Sequence, residues 1–193
     1  MAIARYDATT DLAGSIGYKA TYNGNTGYVT AGHVVDYFNT GNRKMIQSPG
    51  TGNLISDGTN MPFTKVVSAG DVSFQKTSVS IDDDIYYSSN TKIDVASYAT
   101  ASSQHTGQFV YKMGAGNGLT YGQVNAHFTS VDTWRATAQS VTGDSGGTIF
   151  QITGSSGGQY YGKVFGHVYA GGGDVLYQPT EKIIALYGIY PAY

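Results

Sequence analysis

The chain has 193 residues with 11 Lys or Arg, 13 Asp or Glu and a formal net charge of −2. This length suits one domain, or two small halves that share a core. Because the charge is small and no basic cluster is present, the composition predicts no nucleic-acid partner and no binding to a membrane surface. Zero cysteines exclude disulfides and thiolate metal sites, and no apolar run predicts a spanning helix or a signal peptide.

The first pattern in the chain is a rough alternation of apolar and polar residues between Ser15 and Val35. Residues 23–27 (Asn-Gly-Asn-Thr-Gly) interrupt this alternation and predict the turn of a β-hairpin. The second strand of the hairpin leads through residues 28–32 to His33, which is therefore expected at the end of a strand. Taken alone, a histidine at such a place is more often a partly buried structural side chain than a catalytic base.

Three further strands are predicted at Arg43–Ser48, Thr64–Ser68 and Val72–Lys76. Asp71 opens the third strand and lies between apolar segments. These surroundings would keep water away from a carboxylate that holds an imidazole N–H. Asp71 is therefore the favoured carboxylate to hold the His33 ring. In the alternative interpretation, Asp71 is only a turn residue that follows a glycine.

Residues 78–106 are rich in Ser, Asp, Asn and Thr, which predicts a connection between two halves. Asp82, Asp83 and Asp84 within it offer oxygen ligands of the kind that calcium prefers. These residues lack the ligand spacing of a known calcium loop. A solvated surface turn is the stronger interpretation, and no metal site is predicted.

A second group of strands is predicted downstream, at Gln108–Met113, Thr120–Thr129, Trp134–Val141, Thr148–Thr153 and Tyr160–Tyr169. The glycine-rich residues 114–118 lack the Gly-Lys-Ser/Thr ending of a phosphate loop and predict a hairpin turn instead. Residues 180–188 have a threonine cap, apolar residues at helical spacing and a final glycine, which predicts a short C-terminal helix. Strand counting alone indicates an all-β sandwich or barrel.

The most informative stretch is Gly-Asp-Ser-Gly-Gly at residues 143–147. Attack on a carbonyl requires a hydroxyl beside N–H groups aimed at the oxygen where negative charge develops. Glycines permit the close approach and the sharp turn that this needs. A serine hydroxyl also needs a base within hydrogen-bond reach, and His33 can be that base for Ser145. Alone, the run would indicate an ordinary loop.

Residues 30–33 (Thr-Ala-Gly-His) and 143–147 resemble the two signature blocks of the chymotrypsin-like serine endopeptidases, in the order histidine, acid, serine. The pattern is most similar to bacterial members of the α-lytic protease and streptogrisin type. The resemblance implies an all-β fold of two six-stranded antiparallel β-barrels with the active-site cleft between them and a short C-terminal helix. The barrels would cover residues 1–80 and 107–193, and residues 81–106 would connect them.

The same resemblance assigns the chemistry. Ser145 would be the nucleophile, His33 the general base and Asp71 its orienting acid, while the N–H groups of Gly143 and Ser145 would form the oxyanion hole. The expected protein is a monomeric, secreted endopeptidase that acts on polypeptides without a cofactor or metal. Many secreted relatives carry disulfides, so the lack of cysteine weakens the prediction of an extracellular location.

Asp144 needs a cationic partner if it is buried. Bacterial members of the resembled family place an internal basic residue just before the glycine-rich turn, and Lys112 occupies that position here. The resemblance therefore predicts a Lys112–Asp144 ion pair. A solvated lysine on a strand is the alternative.

The pocket for the P1 side chain of a substrate is also assigned by resemblance, with main-chain groups of Tyr169 and Gly171 pairing with the substrate. Its predicted residues are Gln139, Ser140, Val141, Thr142, Val168, Tyr169, Ala170 and Gly171. Related proteases commonly have serine where Tyr169 stands, so the register of this strand is open. Because residues 139–142 contain no aspartate, an apolar or small P1 residue is favoured. Glutamate is second, since His167 resembles the pocket histidine of glutamate-specific members although it lies one residue early.

Three other functions fit parts of the sequence. A catalytically idle barrel that serves in binding or adhesion is disfavoured by the intact His33, Asp71 and Ser145. An esterase of the α/β-hydrolase type would need a helix after the serine, whereas residues 148–150 predict a strand. A structural glycine-rich surface protein would not react with a serine-directed phosphonate.

Overall fold

The computed structural model of the chain describes residues 2–5, 13–35, 45–47, 54–56, 64–88 and 90–193. The first part of this described chain contains β1 Ala2–Arg5, β2 Ala13–Ser15, β3 Lys19–Tyr22, β4 Asn25–Ala31, α1 Gly32–Val35, β5 Met45–Gln47, β6 Leu54–Ser56, β7 Val72–Lys76 and β8 Ile85–Tyr86. The second part contains β9 Lys92–Tyr98, β10 Phe109–Gly114, β11 Gly118–Phe128, β12 Thr133–Ser140, β13 Thr148–Ser156, β14 Gln159–Ala170, β15 Gly173–Pro179, α2 Thr180–Tyr187 and β16 Tyr190–Pro191. The predicted all-β class with a short C-terminal helix is confirmed. No helix among the described residues has both the length and the apolar character needed to cross a membrane.

Six strands of the C-terminal half close into a ring. Hydrogen-bonded neighbours follow the order β10, β11, β12, β15, β14 and β13, and β13 pairs again with β10. All six pairings are antiparallel. A closed ring leaves no unpaired edge, and side chains fill its interior. The interior here includes Val110, Val124, Ile149, Phe165 and Tyr177, all at most 1% exposed. This ring is the six-stranded antiparallel barrel expected for the second half.

The described strands of the first half form two four-stranded sheets, ordered β2-β1-β5-β6 and β16-β3-β4-β7. β3 and β4 are joined by Asn23 and Gly24, whose φ angles of 47° and 73° are those of a tight hairpin turn between twisted strands. The predicted hairpin is therefore confirmed. β16 comes from the far end of the chain and pairs with β3, so the C-terminal segment returns to the first half.

The structure differs from the sequence prediction at Thr64–Ser68, which is not a strand. A 3-10 helix forms at Val67–Ala69 and ends at Gly70, whose φ of 99° turns the chain towards Asp71. Neighbouring apolar residues produce a strand-like pattern here. The Thr64 N–H does donate to the Val72 carbonyl at 2.9 Å, but the chain then turns into the 3-10 helix.

Other predicted elements differ in detail. Residues 81–106 contain β8 and β9, and β9 pairs in parallel with β14, so this segment contributes to the sheet of the second half. β15 was not apparent in the sequence. Of the predicted strand Arg43–Ser48, residues 45–47 are a strand and the others lie outside the described residues. Thr180 is the first residue of α2 rather than its cap, which is Pro179, while the expected terminal glycine is present as Gly188 with a φ of 66°.

Candidate active site

His33 and Asp71 are joined by two hydrogen bonds. His33 Nδ1 lies 2.8 Å from Asp71 Oδ2, and the His33 main-chain N–H donates to Oδ1 at 3.1 Å. The residues are 38 positions apart in the chain. They meet because β4 and β7 are neighbours in one sheet, with Ala31 opposite Val72. The Asp71 side chain is only 4% exposed and that of His33 is 30% exposed, so the ring keeps an accessible side.

The turn that carries Ser145 packs against the strand that leads to His33. A Cβ on Gly146 would lie 2.2 Å from Thr30 Oγ1 and 3.1 Å from the Ala31 nitrogen, and the φ of Gly146 is 88°. Only glycine fits such a position, because it has neither a Cβ nor a steric penalty at positive φ. The Ser145 carbonyl also accepts a hydrogen bond from the Ser15 N–H at 2.7 Å.

The third contact of the predicted triad is not formed in this structure. Within the described residues, no hydrogen bond joins the Ser145 hydroxyl to the His33 ring. The structure therefore pairs His33 with Asp71 and packs the Ser145 turn against β4. Hydrogen bonds between nucleophile and base are often long before a substrate binds.

The main-chain N–H groups of residues 143–147 divide into two sets. Those of Asp144, Gly146 and Gly147 donate to the carbonyls of Val141, Val168 and Asp144, at 3.1, 2.7 and 2.8 Å. The N–H groups of Gly143 and Ser145 have no partner among the described residues. These are the two groups assigned to the oxyanion hole, and both can donate to an incoming oxygen.

The Lys112–Asp144 ion pair predicted from the sequence is present. Lys112 Nζ lies 2.8 Å from Asp144 Oδ2, and both side chains are fully buried. The Asp144 carboxylate also accepts three main-chain N–H groups, those of Val141, Gly116 and Asn117, at 2.9, 2.9 and 3.3 Å. Burial lowers the pKa of Lys112, and the hydrogen bond to Asp144 opposes that effect. A buried charge with this many partners is compensated rather than strained.

The two segments predicted to form the P1 pocket lie against each other. A Cβ on Gly171 would be 2.1 Å from Ser140 Oγ, and the Gly172 N–H donates to the Ser140 carbonyl at 3.0 Å. Ser140 is buried, and its hydroxyl has no partner among the described residues. Gln139, Val141, Thr142 and Gly171 are exposed, while Tyr169 and Ala170 are half-buried. Burial raises the pKa of the Tyr169 phenol, with a further contribution from the charge of Asp71.

Val168, which the sequence analysis places among the substrate-binding residues, has a structural role at the Ser145 turn. Its side chain is fully buried in the core of the second half. Its N–H donates to the Gly147 carbonyl at 2.8 Å, and its carbonyl accepts the Gly146 N–H at 2.7 Å. Both main-chain groups of Val168 therefore hold the Ser145 turn.

Two residues of the site were missed by sequence reasoning or given no role. The Ser15 hydroxyl donates to the Gly143 carbonyl and accepts from the Ala115 N–H, both at 2.7 Å. His167 is fully buried, and its Nε2 lies 3.1 Å from the Asp71 carbonyl oxygen. Ser15 carries no sequence signal that separates it from other serines. The sequence indicates His167 only as a possible pocket residue.

The acidic residues at positions 82–84 form ion pairs with two lysines. Their carboxylates lie close together, but Lys92 Nζ is 2.5 Å from Asp82 and 2.8 Å from Asp84. Lys19 lies 3.7 Å from Asp83. These partners support the interpretation of a surface cluster of ion pairs.

The chain resembles known proteins in structure rather than in sequence. No family model matches the sequence, and no curated protein is significantly similar to it. The chain has the chymotrypsin-like fold of bacterial serine proteases, as the sequence motifs predicted.

Three solved structures illustrate this similarity. A glutamic acid specific serine protease, described as using a histidine triad in substrate binding, has a TM-score of 0.73 at 22% identity, with 99% of this chain and 97% of that chain covered. The α-lytic protease homologue N4 has a TM-score of 0.68 at 17% identity, with 98% and 95% covered. Nocardiopsis protease has a TM-score of 0.64 at 19% identity, with 100% and 97% covered. At these identities the similarity defines the fold.

Proposed function

We propose that the chain is a serine endopeptidase that cleaves polypeptides through an acyl-enzyme. The observation that carries the proposal is the His33–Asp71 pair beside the Ser145 turn, where the N–H groups of Gly143 and Ser145 have no partner within the described parts of the chain. A fold shared with serine proteases supports the same function.

In the proposed mechanism, Ser145 Oγ attacks the peptide carbonyl while His33 Nε2 takes its proton. Asp71 accepts the Nδ1–H of His33, which fixes the ring orientation and stabilises the imidazolium. The N–H groups of Gly143 and Ser145 bind the oxyanion. His33 then protonates the leaving amine, and water attacks the acyl-enzyme by the same route.

For specificity, we favour an apolar or small P1 residue over glutamate. No carboxylate occurs at residues 139–142, which argues against basic P1 residues. Among the described residues, the rings of His105, His127 and His167 bond to Thr106, Asp132 and Asp71 rather than to one another. The proposal also includes an extracellular monomer without a cofactor, which gel filtration and assay of the culture medium can test.

The alternative is a catalytically idle binding or adhesion module with the same fold. The observation that favours it is the missing hydrogen bond between Ser145 and His33. Covalent labelling separates the two functions. A fluorescent peptidyl phosphonate should label the wild type and fail to label Ser145→Ala, and a peptide library should be cleaved by the wild type alone. An unlabelled wild type that cleaves no peptide would support the binding module.

A further inference from the structure

Two consecutive residues of β14, His167 and Val168, contact the two parts of the candidate triad. The His167 ring bonds to the main chain of Asp71, and the main chain of Val168 bonds to both glycines that follow Ser145. Consecutive Cα atoms across a trans peptide are about 3.8 Å apart. The His167–Val168 peptide is therefore a short and stiff connection between Asp71 and the Ser145 turn. Asp71 and Ser145 come from different halves of the fold, and β14 is a strand of the closed ring.

The Asp71 main chain needs such support. Its φ is 24°, an unfavourable value for a residue with a side chain. Strained conformations of this kind persist only where surrounding contacts determine them. The Asp71 N–H donates to Val66, and its carbonyl accepts both the Gly32 N–H and His167 Nε2, each at 3.1 Å. Gly32 directly precedes His33, so the Asp71 carbonyl connects the segment that carries His33 with β14.

The His167 ring is set up to donate one hydrogen bond. A carbonyl oxygen can only accept, so the single proton of the neutral ring lies on Nε2. His167 Nδ1 is buried and has no partner among the described residues. Burial lowers the pKa of His167 to about 4, which keeps the ring neutral when His33 acts as a base.

We propose that His167 is a positioning residue whose Nε2–H bond holds the Asp71 main chain, and through it the His33 ring, in register with the Ser145 turn. His167 touches neither the substrate nor the reacting atoms. The inference rests on the proposed endopeptidase function.

A pair of variants tests the hydrogen bond itself. His167→Gln places an amide N–H where Nε2–H lies, and His167→Leu fills much of the space without a donor. For His167→Leu we expect kcat to fall roughly tenfold to a hundredfold with little change in KM, because small misplacements of reacting groups have effects of that size. The acid limb of the kcat/KM profile should move to lower pH, since a poorly held Asp71 stabilises the His33 imidazolium less. His167→Gln should retain both wild-type values within a few fold.

The matched control is Phe165→Leu, a fully buried change on the same strand that leaves the Asp71 contact intact. The positioning role is wrong if Phe165→Leu lowers kcat and moves the pH profile as much as His167→Leu does. It is also wrong if the kcat of His167→Leu, calculated per active site titrated with the phosphonate, equals that of the wild type.

A proton NMR measurement of the His33 Nδ1–H signal needs no catalysis. Loss or displacement of that signal in His167→Leu but not in His167→Gln would support positioning even if the wild type cleaves nothing. An unchanged signal would contradict positioning. Absence of cleavage in the wild type would contradict only the endopeptidase function.

Discussion

Lys112 Nζ lies 2.8 Å from the Asp144 carboxylate, and neither side chain is exposed. Asp144 directly precedes Ser145, and its carboxylate also holds the N–H groups of Gly116 and Val141. The ion pair therefore ties the Ser145 turn to the β10–β11 hairpin. It needs no cation from a chain terminus.

We expect Lys112→Met to lower the free energy of unfolding by roughly 3–5 kcal/mol, because removing one partner leaves a buried charge uncompensated. Peptidase activity should fall as well, since the turn loses its anchor. Urea denaturation and kcat measure the two effects. Lys76→Met, at an exposed lysine of β7, is the control and should change neither. A Lys112→Met protein as stable as the control would show that the pair contributes little.

Asp71→Asn tests the orienting acid. The amide keeps the size of the carboxylate but cannot serve as an anionic acceptor for the His33 ring at 2.8 Å. The wrong tautomer of the base is then favoured, and we expect kcat to fall by about 10⁴. Asp94→Asn, at a half-buried aspartate of β9, should retain wild-type turnover. Equal activities of the two variants would remove Asp71 from the mechanism.

The glycine turn can be tested for steric fit. A Cβ on Gly146 would lie 2.2 Å from Thr30 Oγ1 and 2.3 Å from the Ser15 carbonyl oxygen. We expect Gly146→Ala to destabilise the fold by about 3 kcal/mol, from overpacking and from strain at positive φ. Gly24→Ala introduces a Cβ at a φ of 73° with no atom within 4 Å, so it isolates the strain alone. The midpoint temperature of thermal unfolding should be well below that of Gly24→Ala in the Gly146→Ala variant. Equal midpoint temperatures would show that the Ser145 turn can move away from β4 without loss of stability.

Local chemistry made part of this fold predictable. The Asn23-Gly24 turn and the Gly188 helix end were recognisable because positive φ strongly favours such residues. The proposed base, His33, and the proposed nucleophile, Ser145, could be assigned from the sequence because both sequence blocks are short and continuous. The Lys112–Asp144 pair followed from resemblance together with the need to compensate a buried charge.

Contacts that depend on tertiary partners were not predictable. β9 alternates buried Ile93 and Val95 with more exposed residues, but its parallel pairing with β14 joins segments that are far apart in the sequence. The Thr64–Ser68 segment has strand-like residues but turns at Gly70 instead. The main-chain bonds of Val168 to the Ser145 turn could not be predicted either, because they depend on two segments that are adjacent only in space.

The burial of His167 predicts a dependence of stability on pH. Desolvation lowers the pKa of His167 from 6.5 to about 4 in the folded protein, so between these values the unfolded chain binds a proton that the folded chain does not. The neutral ring thus makes its full contribution to the free energy of unfolding above about pH 6.5. That contribution is lost as the pH falls towards 4, and the loss is about 3 kcal/mol in total. The free energy of unfolding of the wild type should therefore decrease over this range, and His167→Gln, which has no group to titrate there, should show a flatter curve. Urea denaturation at several pH values measures both slopes, and parallel curves for the two proteins would mean that the ring is hydrated or paired in solution.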